Sequence, residues 1–182
     1  LGHTRRVAEA VAAGAAEFAG TRVLSLTSDE AIDRLDELDA ADAIILGCPT
    51  YLGGPSADFK RFMDATGRKW VAQAWRDKIA AGFTNSGSYS GDKLATLQAF
   101  AVLAAQHGMV WVGQSEMPPM IKGGHGDPPD AINRLGSFLG LMTQSDNLPA
   151  EQTPPAGDLE TARRFGMRIA AAAGRWSGGT SA

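Results

Sequence analysis

The sequence has one cysteine among its 182 residues, Cys48, so no disulfide can form within the chain. A lone thiol is typical of a reducing compartment, and the cytoplasm is the expected location. Cys48 ends an apolar run one residue before Pro49, where a small buried side chain is more common than a nucleophile. A catalytic cysteine is therefore not predicted.

Long hydrophobic runs and basic charge are also scarce. No apolar stretch approaches the roughly 18 residues that cross a bilayer, and no charged segment followed by an apolar run marks a secretion signal. The formal net charge is −3, which gives no electropositive field for a nucleic-acid backbone. We expect a soluble protein with no membrane insertion and no nucleic-acid partner.

Histidines at metal-ligand spacing are missing. His3, His107 and His125 have no suitable partners nearby in the sequence, so no metal site is predicted. His107 stands at the predicted end of a helix, and two interpretations stay open for it. It either lies beside a bound ligand, as the only catalytic candidate, or compensates the negative end of the helix dipole.

Short apolar runs alternate with stretches of helical periodicity. The predicted strands cover residues 21–26, 43–46, 79–83 and 109–113, and the predicted helices begin near Thr4, Ser28 or Asp29, Asp58, Asp92 and Asp158. This alternation favours a parallel sheet covered by helices on both faces. The sequence predicts a single α/β domain over residues 1–182, with a doubly wound sheet.

Two segments depart from this pattern. The chain begins with Leu1, Gly2, His3 and Thr4 directly ahead of a helix, whereas a doubly wound sheet has a central first strand before its phosphate-binding turn. We therefore expect an upstream strand of about five to six residues that this sequence lacks. The second segment, residues 114–157, is a Pro/Gly-rich insertion before the last helix, and loops of this length usually serve function or assembly.

Three loops stand where ligands bind in open α/β sheets, beyond the carboxyl ends of strands. Residues 2–4 open a helix, whose N–H groups and dipole favour a phosphate. Residues 49–54 combine a rigid proline, Tyr51 and two glycines that let backbone approach a flat ligand. Residues 84–92 are rich in hydroxyls and glycine.

Each loop has an ordinary explanation when it is considered alone: a helix cap, a turn and a solvated loop. Together they fit one ligand, with a phosphate at one end and a planar polar ring at the other. Flavin mononucleotide (FMN) has this shape.

Five motifs carry a resemblance: Gly2-His3-Thr4, Pro49-Thr50-Tyr51-Leu52-Gly53, the helix from Asp58 to Asp64 with Trp70 beyond it, Asn85-Ser86-Gly87-Ser88, and His107-Gly108-Met109-Val110. They resemble the flavodoxin-like NAD(P)H:quinone oxidoreductases of the tryptophan-repressor-binding-protein type. The resemblance implies a five-stranded flavodoxin-like sheet and non-covalent FMN. It also implies NAD(P)H as the electron donor, a quinone-like acceptor and a homo-oligomer, either dimer or tetramer.

The resemblance assigns roles by position. Gly2, His3 and Thr4 would hold the FMN phosphate, and Asn85, Ser86, Gly87 and Ser88 the pyrimidine edge of the ring. Pro49, Thr50, Tyr51, Leu52 and Gly53 would line one side of the ring, with Tyr51 also on the substrate side. Trp70 matches an aromatic residue near the substrate that comes from a neighbouring subunit, and His107 matches the second of two adjacent histidines.

The chain departs from these relatives where the nicotinamide and quinone would lie. Tyr51 and Leu52 replace an Arg-Phe pair, and Gln106 replaces the first of the paired histidines. The primary expectation is an NAD(P)H:quinone oxidoreductase or FMN reductase that transfers hydride by a ping-pong mechanism and needs no protein acid or base. The alternatives are an electron-shuttling flavodoxin and a non-enzymatic binding module.

Overall fold

A computed structural model describes residues 2–119 and 128–178. The elements are α1 (His3–Ala16), α2 (Ser28–Asp33), α3 (Leu35–Leu38), β1 (Ala43–Tyr51), β2 (Gly54–Pro55), α4 (Ala57–Ala65), α5 (Gly67–Ala72), β3 (Ile79–Ser86), α6 (Lys93–Gln106), β4 (Val110–Trp111), β5 (Leu141–Gln144) and α7 (Ala156–Gly178). From β1 onward, strands alternate with helices as the sequence predicts. None of the described helices is long and apolar enough to span a membrane.

The sheet is built around β3. Strand β1 pairs with β3 in parallel on one side, and β4 and β5 pair with it in parallel on the other. Strand β4 lies beside Ile79 and Ala80, whereas β5 lies beside residues 83–86, so the two form one interrupted edge strand. Strand β2 is a two-residue antiparallel return against the end of β1.

Helices cover both faces of this sheet, and each face has its own core. Helices α1 and α7 cover one face, with Val7 and Phe165 fully buried. The other face is covered by α2, α4 and α6, where Phe59 packs 4.6 Å from Phe100 between ring centroids. The predicted apolar side of α7 is confirmed, since Ala162, Phe165, Ile169 and Ala173 are all buried.

The predicted strand over residues 21–26 is wrong. Residues 21–27 form no regular structure, and Val23 and Leu24 are exposed. A strand exists only through hydrogen bonds to a neighbour, and among the described residues none lies alongside this segment. The edge of β1 that faces away from β3 has one described strand partner, β2, which pairs only with Thr50 and Tyr51. The expected upstream strand lies outside this sequence and stays a prediction.

The predicted extent of the insertion also needs correction. Only Val110 and Trp111 of the predicted strand 109–113 are paired, and the supposed loop 114–157 contains β5. The true interruption of the edge strand therefore runs from residue 112 to residue 140. Strand β5 was missed because it has only four residues, two of them the polar Thr143 and Gln144. Residues 120–127, with His125, lie outside the described residues.

Three predicted helix boundaries are corrected by local hydrogen bonds. Thr27, rather than Ser28 or Asp29, caps α2, because its hydroxyl accepts from the Glu30 amide while the Glu30 carboxylate accepts from the Thr27 amide. The predicted third helix divides at Thr66 into α4 and α5. Asp158 lies inside the first turn of α7 and pairs with Arg134 instead of capping the helix.

Candidate functional site

The ends of β1 and β3 bring two of the predicted loops together. The strand register places Pro49 beside Asn85, so the segments after them leave the sheet at neighbouring points. A Cβ atom built on Gly53 would lie 3.9 Å from the Cβ of Asp92, which shows that the loops also approach each other further out. The structure thus joins residues 49–53 with residues 85–88.

The beginning of α1 reaches the same edge through segment 145–150. The Ser145 amide donates to the Ser86 carbonyl at 3.1 Å. Further along, the His3 Nε2 donates to the Leu148 carbonyl at 2.7 Å, and Arg6 donates to the Ala150 carbonyl. Sequence reasoning missed this segment, although its Asp-Asn-Leu-Pro run is a turn signal.

The N-terminus of α1 has the electrostatics of an anion site. Gly2, at the N-cap, has φ +78°, and no side chain in the described part of the chain caps the helix. The first turn has no acidic residue, and two basic residues, Arg5 and Arg6, lie near the start of the helix. Helix α2, by contrast, has a complete capping box. An uncapped helix start with basic neighbours favours a negatively charged group.

The tip of the β1–β2 turn exposes apolar side chains. Tyr51 is 54% exposed and Leu52 completely exposed. Leu52 also has φ +47°, which is rare outside glycine and concentrates at ligand sites. Thr50 differs from both, because its buried hydroxyl hydrogen-bonds to Thr84 and Thr96. Any ligand contact of Thr50 would therefore involve its backbone.

Asn85 is held in a fixed orientation at the end of β3. Its Oδ1 accepts hydrogen bonds from the Thr143 hydroxyl at 2.8 Å and the Ser145 hydroxyl at 3.0 Å. Its Nδ2 has no partner in the described part of the chain. The residue is therefore positioned to donate a hydrogen bond to a ligand.

Lys93 is a site residue that sequence reasoning missed. It is fully buried, and its Nζ donates to the Ser86 hydroxyl and to the carbonyls of Ser88 and Tyr89. Burial lowers the pKa of the Lys93 amine to about 8. A lysine in the first turn of a predicted helix is normally solvent-exposed, so no sequence signal could have found it.

A buried ion pair ties the insertion to this edge. Arg134 and Asp158 are 3% and 2% exposed, with Nε and Oδ1 2.7 Å apart. The other oxygen of Asp158 accepts from the Gln144 amide, and Gln144 donates to the Gly87 carbonyl. The Arg134 guanidinium also lies 5.3 Å from the centre of the Tyr89 ring. The insertion thus supports the loop after β3 from outside.

Trp70 and His107 lie at the opposite end of the sheet. Helix α6 starts beside the loop after β3, and its 14 residues span about 21 Å before His107. Gln73 donates to the carbonyls of both Trp70 and Gln106, which places Trp70 at that same far end. Within one chain, these two predicted site residues are not brought to the loops.

His107 occupies a polar pocket in the core. Its ring stacks on Trp75 with centroids 4.6 Å apart, and Nε2 lies 3.0 Å from the Thr66 hydroxyl. Because that hydroxyl donates to the Met63 carbonyl, Nε2 carries the proton. Nδ1 has no hydrogen-bond partner among the described residues, and burial lowers the pKa of His107. A neutral ring does not compensate a helix dipole, so that interpretation is not supported.

We expect the free energy of unfolding to fall as the pH is lowered below 6.5. The unfolded state then takes up a proton at His107 that the folded state resists, because the folded pKa is the lower one. One such group contributes at most about 1.4 kcal/mol per pH unit. Urea unfolding between pH 5 and 8 should show a shallower dependence of the free energy of unfolding on pH for His107→Phe than for wild type. Equal slopes in wild type and His107→Phe would contradict this assignment.

Cys48 has the role that its sequence position predicts. It is 3% exposed, and burial raises the pKa of its thiol to about 11. A thiol protonated at neutral pH and closed to solvent is a packing residue. In residues 2–119 and 128–178, no group of three His, Cys, Asp or Glu side chains could hold a metal ion.

A parallel sheet with helices on both faces and candidate ligand loops at its carboxyl edge is typical of a flavodoxin-like protein. Residues 25–118 match the family of NADPH-dependent FMN reductases. A flavodoxin of Pseudomonas aeruginosa (strain UCBPP-PA14), FldP, is 40% identical over 171 residues, which cover 93% of this chain and 89% of the relative. An NAD(P)H dehydrogenase (quinone) of Geotalea uraniireducens is 33% identical over 96% of this chain and 93% of the relative.

Solved structures agree with these relatives. A WrbA-like flavodoxin from Agrobacterium tumefaciens is 42% identical and superposes with a TM-score of 0.70, covering 96% of this chain and 91% of that one. The chain belongs to the NADPH-dependent FMN reductase family, on the branch of flavodoxin-like NAD(P)H:quinone oxidoreductases of the WrbA type. The family and fold class predicted from the sequence are confirmed.

Proposed function

We propose that the protein binds FMN non-covalently at the carboxyl edge of its sheet and passes electrons from NAD(P)H to a quinone-like acceptor. Its family makes it an oxidoreductase that uses FMN and NAD(P)H. The observation that carries the proposal is the junction of three loops, through the pairing of Pro49 with Asn85 and the contacts of segment 145–150 with His3.

The phosphate end of FMN would bind at α1. Gly2, His3 and Thr4 surround an uncapped helix start that has no competing carboxylate in its first turn. Backbone N–H groups and the Thr4 hydroxyl are the donors that a phosphate requires. The proposed roles of these three residues therefore fit the local chemistry.

The ring would lie between the β1–β2 turn and the loop after β3. Tyr51 and Leu52 provide exposed apolar surface on one side, and Asn85 presents its Nδ2 donor on the other. Gly87 and Ser88 are exposed next to Asn85 and can approach the pyrimidine edge closely. This arrangement has the mixture of apolar surface and few fixed donors that cofactor sites use.

Bound FMN supplies the hydride chemistry. The protein has to orient the ring and fix its hydrogen bonds, and no residue at the three loops has to act as an acid or base. Because Tyr51 and Leu52 form one shallow surface, we propose that NAD(P)H and the acceptor occupy it in turn. Double-reciprocal plots should then be parallel, as in a ping-pong mechanism, and intersecting lines would contradict this order.

The proposed role of Trp70 needs a second copy of the chain. Trp70 is 47% exposed and Val71 75% exposed at the far end of the sheet, so they are available to the site of a neighbour. This supports a homo-oligomer, either dimer or tetramer, in which one subunit covers the flavin of another. A reducing compartment such as the cytoplasm suits its free, buried thiol.

A second candidate function is electron shuttling, which the 40% identity to a flavodoxin favours. A shuttle would carry electrons between proteins and would have no small-molecule substrate surface. Rapid reduction of bound FMN by NADPH alone would exclude it. The mild net charge of −3 also speaks against it, since carriers usually steer to partners with strongly charged faces.

The test is purification of the full-length protein and titration with FMN. We expect a yellow protein that releases FMN on denaturation and oxidises NAD(P)H when a benzoquinone is added. Riboflavin, which lacks the phosphate, should bind at least tenfold more weakly, a loss of about 1.4 kcal/mol. Equal affinity for both ligands would contradict the α1 site, and failure to bind either would favour a non-enzymatic binding module.

A further inference from the structure

Lys93 carries a positive charge in a position that several physical effects disfavour. Its side chain is fully buried, and it is the first residue of α6, where the helix dipole is already positive. Its hydrogen-bond partners are all neutral, and no described carboxylate lies within 4 Å of its Nζ. A buried cation whose direct partners are all neutral is costly, and Asp158 favours its charge only from beyond hydrogen-bond distance. A further negative charge in the working protein would therefore stabilise it.

The hydrogen bonds of Lys93 organise the loop after β3. Its Nζ lies 2.9 Å from the Ser86 hydroxyl, 2.5 Å from the Ser88 carbonyl and 2.9 Å from the Tyr89 carbonyl. An ammonium has three donors, so this set uses all of them. The loop is therefore wrapped around the ammonium.

This wrapping fixes the direction of two peptide groups. In a trans peptide, the carbonyl and the N–H of the next residue point in opposite directions. Since the Ser88 and Tyr89 carbonyls face the ammonium, the N–H groups of Tyr89 and Ser90 face away from it. Neither N–H has a partner in the described part of the chain, and both residues are exposed. The outer surface of the loop thus presents two donors with a positive charge behind them.

We propose that Lys93 is a positioning residue of the flavin site: it turns the Tyr89 and Ser90 N–H groups toward the pyrimidine edge of FMN, and its charge favours the reduced over the oxidised cofactor. This inference rests on the proposed function. Hydride transfer from NAD(P)H delivers one proton and two electrons, so it adds one negative charge to its acceptor. A buried cation behind the acceptor stabilises that charge.

The effect should depend on pH. Burial is the largest influence on the Lys93 pKa, which it lowers to about 8. Asp158 on α7 favours the charged amine and Arg134 of the insertion opposes it, while Asp92 and the Tyr89 phenol are the other titratable groups of this loop. The stabilisation should be present below pH 8 and should fade as the amine loses its proton above it.

The experiment compares the midpoint potential of bound FMN in wild type, Lys93→Met, Lys93→Gln and the control Lys60→Met, from pH 6.5 to 9.5. At pH 7, we expect the ratio of the affinities for reduced and oxidised FMN to be about tenfold smaller in both Lys93 variants than in wild type. This corresponds to a midpoint potential about 30 mV lower. The wild-type value should approach theirs above pH 8. Lys60→Met removes the same charge from an exposed pair and should leave the potential unchanged.

The outcomes separate the possible roles. If the variants bind oxidised and reduced FMN more weakly by the same factor, the potential stays constant and the lysine only supports the loop, which overturns the charge effect. If the variants do not fold, the wild-type protein alone still tests the charge effect. A plot of its midpoint potential against pH with no change of slope near pH 8 overturns that effect as well. Wild-type protein that binds no FMN overturns the proposed function, and this inference with it.

Discussion

Replacing Asp158 with alanine should lower the free energy of unfolding by about 3–5 kcal/mol, because the substitution removes the carboxylate of a buried ion pair and leaves the Arg134 guanidinium charged in the interior. The Gln144 amide loses its acceptor in the same step. For a chain of this length, the melting temperature should fall by about 6–20 °C. Urea and thermal unfolding of the purified protein measure both quantities.

Two further variants test the cause of that loss. Arg134→Met combined with Asp158→Leu removes both charges, so it should be less damaging than Asp158→Ala alone. Glu9→Ala breaks the exposed pair with Arg5 and should change the stability by about 0.5 kcal/mol or less. If the double variant is as unstable as the single one, lost packing, rather than loss of the ion pair, explains the effect.

The ion pair also affects the proposed flavin site. The Gln144 side chain donates a hydrogen bond to the Gly87 carbonyl and accepts one from the Arg134 guanidinium. The ion pair thus fixes the loop that would hold the pyrimidine edge. FMN at 100 times its dissociation constant should add about 2.7 kcal/mol to the stability of wild-type protein. Asp158→Ala should need more FMN to reach the same gain.

The sequence predicted those features that periodicity and turn chemistry encode. The spacing of Ala162, Phe165 and Ile169 gave the buried side of α7. The Pro/Gly-rich run after residue 48 indicated a nearby strand end, although β1 continues to Tyr51 instead of stopping at residue 46. Both signals are local, since they repeat within one helix or one turn. The three candidate loops were found for the same reason.

The missed features depend on partners that are distant in the sequence. Arg134 and Asp158 are 24 residues apart, and charged side chains are normally expected at the surface. Lys93 and β5 were missed for the same reason. Lys93 is buried because the loop after β3 surrounds its ammonium, and residues 141–144 form a strand because they pair with β3. For residues 21–26 the error is the reverse: their composition predicts a strand, but no described strand pairs with them.

The contact between α1 and α7 leads to the second large expected effect. A Cβ atom on Gly166 would lie 1.9 Å from the Val11 carbonyl oxygen, and one on Gly14 would lie 1.7 Å from the Arg163 carbonyl oxygen. The two helices therefore touch through their backbones, which cannot move aside as a side chain can. Gly166→Ala should destabilise the protein by about 3 kcal/mol, at the upper end of overpacking costs.

This substitution should also weaken FMN binding, because α1 carries Gly2, His3 and Thr4 and cannot keep its place if α7 forces it outward. Calorimetric titration should show weaker binding of FMN and a smaller difference between FMN and riboflavin, since the phosphate end is displaced. The matched control is Gly67→Ala in α5, where a Cβ atom meets no atom of the described residues within 4 Å. It should leave binding unchanged and add up to about 1 kcal/mol of stability, because alanine restricts the unfolded chain. If Gly166→Ala proves as stable as this control, the backbones of α1 and α7 do not pack as closely as described.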